Sequence, residues 1–272
     1  MPVILICDNG SVRPNATLQL RYLAKKLSEK TSQVIHPVSF KHADAIPAEH
    51  LNGIPAQIFR HFMTQQLSQG QRDFILLPLF FGNSRALTSF VPDEVNLLKE
   101  QYGDFKLAIS EEIYPLPAGE KLLTDIIYEH VIDTGLKQHL PLKNIVLVDH
   151  GSPIPQVTEV RKHLAETVQT KLPAGCLLEQ AVMERREGKE YDFNGALLKD
   201  WLTEKAQSGE TSAIVILMFF LPGRHAGEGG DIIGICNSVM NEYSGFKVVI
   251  SPLITENPTF LNILQNRLQD RV

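Results

Sequence analysis

The chain has 272 residues, of which 43 % are hydrophobic and 21 % charged, with a formal net charge of −5. That length serves one or two ordinary domains with ample core, and the balance is that of a globular protein. No apolar run nears the roughly 20 residues of a membrane span, and the mild acidity lacks the basic excess that nucleic-acid partners ask for. Cys7, Cys176 and Cys236 are odd in number and scattered, with no Cys-x-x-Cys, which argues against a disulfide framework and a thiolate metal centre. The chain enters a strand at once with no basic leader or cleavage site, so cytoplasm is the expected compartment.

In chain order, short apolar runs at 3–7, 34–40, 74–81 and 105–109 read as strands, followed after a Pro-interrupted stretch at 139–143 by runs at 145–148, 177–183, 213–221 and 247–251. Being apolar on both faces, they suit buried parallel strands. Helical periodicity fills the gaps: Val160, Leu164 and Val168 share one stripe within 157–171 that Leu172 continues, and Leu197, Leu198, Trp201 and Leu202 share another within 195–207. Strand and helix in alternation imply right-handed crossovers. The boundary between halves is expected at 140/141.

The two halves repeat each other. VILICDNGSVRP from Val3 and IVLVDHGSPIP from Ile145 put Asp-x-Gly-Ser after an apolar strand, with Asn9 and His150 141 residues apart. Asn52-Gly53 recurs at Asn194-Gly195, Ser110 faces Ser251, Pro117 faces Pro258, and Arg85 aligns with His225. An offset held through several elements is the mark of a tandem duplication. Both histidines of the second copy lack a counterpart in the first.

In open α/β sheets, ligands collect beyond the carboxyl ends of the strands. In the second half those ends carry Asp149-His150-Gly151-Ser152, Met183-Glu184-Arg185-Arg186 and Pro222-Gly223-Arg224-His225. Two imidazoles and a carboxylate from three neighbouring strands suit cobalt, iron or nickel. Asp149 and Ser152 also read as a turn cap shared by both copies, since Asp8 and Ser11 persist in the first. The glycines of GRHAGEGG lack both the G-x-G-x-x-G spacing and a P-loop lysine, and Ser152 has no Gly-x-Ser-x-Gly elbow for hydrolase chemistry. The other histidines read as surface or helix residues.

DHGS after the first strand, Met-Glu after the second, and FLPGRH followed by an acidic residue and Asp-Ile after the third resemble the sirohydrochlorin chelatases of the CbiX and CbiK type, relatives of ferrochelatase. The resemblance spans essentially the whole chain, HADAIPAEHLNGIPA in the first half included. It implies two similar flavodoxin-like α/β/α domains related by duplication, each a parallel four-stranded sheet flanked by helices: 1–140 without the active-site histidines and 141–272 with them.

The resemblance further implies insertion of a divalent metal, Co²⁺ first with Fe²⁺ or Ni²⁺ as alternatives, into sirohydrochlorin or a related uroporphyrin-derived tetrapyrrole. The product would feed cobalamin or sirohaem formation, and no permanently bound cofactor is involved. His150 and His225 are then catalytic and, with Glu184, metal-ligating. Arg224, Arg185, Arg186, Ser152, Arg85 and Arg13 are then expected around the carboxylates of the substrate, because guanidinium pairs with carboxylate in bidentate geometry. The family's His-x-x-x-Asp is stretched here to His225 through Asp231, leaving Glu228 and Asp231 both open for the acidic position. Long single-chain members often keep the working histidines in the first half; here that half has Asn9 and Arg85.

Metallation expels two pyrrole protons, and histidine supplies both a base near neutrality and a neutral nitrogen for the metal. The expected partners are the tetrapyrrole and the metal ion, with no nucleic acid and no membrane, in a monomer or homodimer. One asymmetric site per chain is expected in the cleft between halves. A catalytically idle paralogue that only binds tetrapyrrole or metal is the competing reading; retention of both histidines favours the enzyme.

Overall fold

The computed structural model describes residues 2–271, which form two compact units: one built by residues up to Pro115 together with those from Leu261 on, the other by Leu116–Phe260. The first unit runs β1 (Val3–Asp8), α1 (Pro14–Thr31), β2 (Ile35–Ser39), α2 (Phe59–Ser68), β3 (Asp73–Pro78), α3 (Val91–Tyr102) and β4 (Lys106–Ile109). Its four strands are parallel in the order β2-β1-β3-β4. Both faces of the central strands are covered: Leu5, Cys7, Phe74 and Leu76 face one core with Phe40, Phe59 and Met63, and Ile4 and Ile6 are equally buried. Pro14 opens α1, where its fixed φ suits the first turn and its missing N–H costs nothing.

The second unit runs α4 (Lys121–Lys137), β5 (Ile145–Asp149), α5 (Pro155–Gln169), β6 (Leu178–Val182), β7 (Ala196–Leu197), α6 (Leu198–Gln207), β8 (Ser212–Leu217), α7 (Asp231–Glu242) and β9 (Lys247–Ile250), with parallel order β7-β6-β5-β8-β9. Removing the two-residue β7 leaves the first unit's topology. Backbone bonds outside the ladders repeat as well: Phe40 N donates to Asp8 O (2.9 Å) and Lys41 N to Asn9 O (3.2 Å), as Met183 N does to Asp149 O (2.8 Å) and Glu184 N to His150 O (3.1 Å). The duplication is therefore legible bond by bond.

Two features differ from the sequence expectation. The second sheet has five strands instead of four: Gly195, at φ 83° and ψ −154°, takes a conformation a helix cannot hold, so Ala196 and Leu197 pair as an edge strand and α6 begins at Leu198. The helices also partition differently from a cut at 140/141. Helix α4 packs on α5 and β8 of the second unit, with Leu123, Ile126, Ile127 and Val131 buried. Gly135 permits this approach, since a Cβ there would lie 2.6 Å from Leu142 Cδ2 and 3.5 Å from Ile214 Cδ1. The last helix, α8 (Phe260–Gln269), belongs almost wholly to the first unit, where the buried Arg267 donates to Glu112 O at 2.9 Å. Among the described residues no helix is long and apolar enough to cross a membrane. Cys7 and Cys236 are buried, Cys176 half-buried.

His130, read as a surface or helix residue, lies on α4 but is buried, and its Nδ1 has no hydrogen-bond partner. Burial lowers its pKa to about 4, against about 6.5 in an unfolded chain. Between these values only the unfolded state binds the proton, so stability is full above pH ~6.5, falls as pH drops towards ~4, and then levels off. The loss amounts to about 3 kcal/mol. Urea melts across pH 4 to 7 should show this slope flattened in His130→Leu; an unchanged slope would refute the assignment.

Candidate active site

Chain order reverses between β5 and β8: the chain proceeds outward from β5 to β6 and β7, then returns to lay β8 and β9 on the other side. A doubly wound sheet opens a crevice at such a switch point, beyond the carboxyl ends of its strands. His150 follows β5 and His225 lies in the loop after β8, so the two histidines flank that crevice. Their ring centroids are 4.4 Å apart with the planes at 69°.

Gly151 sets the position of His150. Its φ is +92°, and a Cβ there would stand 1.9 Å from Glu184 O, so only glycine lets the β5 and β6 loops close on each other. The approach brings His150 Nε2 to 3.2 Å from Glu184 Oε1, while His150 Nδ1 lies 3.0 Å from Gly151 O. With Nδ1–H donating to that carbonyl, Nε2 and the Glu184 carboxylate form a pair that a proton or a metal cation can bridge.

His225 is held by Asp231, the first residue of α7: His225 Nδ1 lies 2.8 Å from Asp231 Oδ2, and Arg224 Nε lies 3.6 Å from the same oxygen. A carboxylate accepting from Nδ1–H leaves the lone pair on Nε2, the arrangement that makes an imidazole a base or a ligand. Of the two acidic candidates left open, Asp231 takes the partner role and Glu228 is exposed. The long Gly-rich loop returns to the helix start through Asp231 N donating to Arg224 O (3.0 Å) and Ile232 N to His225 O (3.1 Å).

An open cavity of about 390 Å³ is lined by His150, Ser152, Glu184, Arg185 and Arg186 among others. Arg185 Nη1 reaches Asp192 Oδ1 and Gly195 O, both at 3.2 Å, and the Arg186 guanidinium lies 5.8 Å from the Tyr191 ring. Ser152 Oγ accepts from Ile154 N at 3.0 Å, a turn cap matched in the first unit by Ser11 Oγ and Arg13 N at 3.1 Å. Among the described residues no three His, Cys, Asp or Glu side chains converge as a ready metal-ligand set. The acidic and imidazole groups stand as two pairs, His150 with Glu184 and His225 with Asp231.

Arg13 and Arg85 lie in the first unit, both exposed, Arg13 at the entry of α1 and Arg85 before a turn over Ala86–Phe90. The backbone equivalence identifies a third cation there that sequence comparison missed. Lys41 occupies the place of Glu184, and Gly10, at φ +91°, packs against Lys41 O as Gly151 packs against Glu184 O. Lys41 Nζ sits 4.3 Å from the Phe90 ring centroid. The two units thus share a backbone here and differ at the matched positions: Asn9, Lys41 and Arg85 against His150, Glu184 and His225.

Residues 144–271 match the family model CbiX. No curated protein sequence matches the chain. Among solved structures, SirB from Bacillus subtilis with Fe³⁺ superposes with a TM-score of 0.71 at 16 % identity, over 99 % of this chain and 95 % of that one. SirB from Bacillus subtilis subspecies spizizenii in complex with cobalt gives 0.68 at 15 % identity, over 99 % and 95 %. CbiX, described as the terminal enzyme of sirohaem biosynthesis in denitrifying bacteria, gives 0.61 at 12 % identity over the full length of both chains. The two-unit fold is thus shared with these structures, and the half that carries both histidines is the half matched by the CbiX family model.

Proposed function

We propose that this protein inserts a divalent metal into sirohydrochlorin or a related uroporphyrin-derived tetrapyrrole, at one site in its second unit. The observation that carries the reading is the pair of imidazoles 4.4 Å apart at the switch point, each with its own carboxylate. The relatives named above were solved with iron and with cobalt, which suits the imidazole and carboxylate donors present here.

Metallation exchanges two pyrrole N–H protons for M²⁺. In this reading His150 and Glu184 receive the incoming ion, and His225 Nε2 takes the two protons in turn, releasing each to solvent, while Asp231 stabilises the imidazolium that forms each time. The metal is a substrate and leaves with the product, so no resident cofactor is invoked. Arg185, Arg186 and Arg224 offer guanidinium to the carboxylates of the macrocycle. Co²⁺ is the first candidate, with Fe²⁺ and Ni²⁺ next, and the product would serve cobalamin or sirohaem formation.

The test is anaerobic incubation of the purified chain with sirohydrochlorin and each metal, following the absorbance change on metallation. A rate above the non-enzymatic background for at least one metal is expected; background rates for all three would overturn the reading.

A further inference from the structure

We propose that Arg161 and Asn194 are positioning residues that clamp the His150 loop, an inference resting on the chelatase reading. Arg161 is a large side chain that is only 2 % exposed, and it reaches three elements: Asp149 Oδ1 at the end of β5 (2.6 Å), Asn194 O before β7 (2.6 Å) and Gln180 Oε1 on β6 (3.2 Å). Asn194, wholly buried, accepts from Ser152 N through Oδ1 (2.9 Å) and donates to Ser152 O through Nδ2 (2.9 Å). Thr158 Oγ1 adds a bond to the same Oδ1 at 3.3 Å. Asp149 in turn accepts from Gly151 N at 3.1 Å. His150 is therefore bracketed: Asp149 before it and Gly151-Ser152 after it are both tied to buried groups.

The first unit is a built-in control for whether the loop needs this clamp to fold. Pro14 and Pro155 open equivalent helices 141 residues apart, which puts Leu20, 1 % exposed, at the place of Arg161. Asp8 is accordingly left with its Oδ1 buried and unpartnered, and burial raises its pKa. Asn52, the counterpart of Asn194, is exposed in a left-handed conformation (φ 58°). Yet the first-unit loop keeps the same shape: Gly10 sits at φ +91° against +92° for Gly151, with the same cross-loop backbone bonds. The loop folds without the arginine and without a buried asparagine. What distinguishes the clamped copy is the histidine it carries, so the clamp holds the imidazole at the crevice instead of making the turn.

The test uses the full chain with Arg161→Leu, which installs the first unit's solution, Asn194→Ala, Arg161→Lys, and Gly209→Ala as a destabilised control away from the clamp. The readouts are kcat and KM for metallation, thermal melting, and the ring signals of His150 in ¹H–¹⁵N correlation spectra, assigned through His150→Ala. Arg161→Leu and Asn194→Ala should still melt cooperatively, lose about 10-fold in kcat with KM within twofold, and shift or broaden the His150 signals. Arg161→Lys should recover part of both. The clamp is overturned if both variants keep kcat and the His150 signals of the parent chain, or if Gly209→Ala reproduces the loss. Should Arg161→Leu fail to fold, Asn194→Ala decides. An inactive parent chain would sink the chelatase reading instead, and the His150 signals would then judge the clamp alone.

Discussion

His225→Ala is expected to lower the metallation rate by about 10³-fold, the range a positioned acid–base group supplies, without unfolding the chain. The side chain of His225 is 30 % exposed, and its polar partner Asp231 is itself 44 % exposed and pairs also with Arg224. Removal leaves no buried orphan, so the stability change should stay within about 0.5 kcal/mol. His150→Ala should lose comparable activity with KM for the metal raised, because His150 Nε2 and Glu184 Oε1, 3.2 Å apart, are the pair assigned to the incoming ion. Asp231→Asn keeps the shape but weakens support for the imidazolium, and a loss of about 10-fold is expected. Steady-state assays with melting curves separate these outcomes; an active His225→Ala would move the base elsewhere.

Gly151→Ala carries a large expected stability cost. A methyl there must occupy a left-handed backbone conformation and sits 1.9 Å from Glu184 O, a backbone atom that cannot swing aside. Strain of this kind costs about 1–3 kcal/mol by itself, and the collision forces the β5 and β6 loops apart, so at least about 3 kcal/mol in all is expected. Gly209→Ala isolates the first part, since Gly209 shares a positive φ of 85° but meets nothing within 4 Å; about 1 kcal/mol is expected there. Gly10→Ala should match Gly151→Ala in stability, with its Cβ 1.7 Å from Lys41 O, but should spare the His150–Glu184 pair. Denaturant midpoints compared with residual kcat would show this split; equal midpoints for Gly151→Ala and Gly209→Ala would refute the steric argument.

The strands and the asymmetry between halves were legible because both are local. Runs such as Ile145–Asp149 are apolar on two faces, and His150 opposite Asn9 needs only alignment of two copies. Glycine conformations and backbone bonds needed coordinates. Glu184 stands beside His150 because Gly151 admits the crossing, and the same crossing reveals Lys41 as its counterpart, which sequence spacing alone did not pair. Asp231 could not be chosen over Glu228 until the path of the Gly-rich loop was known. A cut at 140/141 parts helices α4 and α8 from the units they pack in, since an amphipathic stripe says that a helix is covered and not by which sheet. Arg161 was invisible for a simpler reason: a buried arginine within an amphipathic helix looks like a solvated one until its three partners are seen.

Under the chelatase reading one crevice binds the metal and the other, with the same backbone, does not. Anaerobic titration of the full chain with Co²⁺, followed by the visible ligand-field absorption, tests it most directly. One ion per chain is expected, lost in the His150→Ala/His225→Ala double variant and retained in Asn9→Ala. Two equivalent ions per chain, or one that survives loss of both histidines, would contradict it.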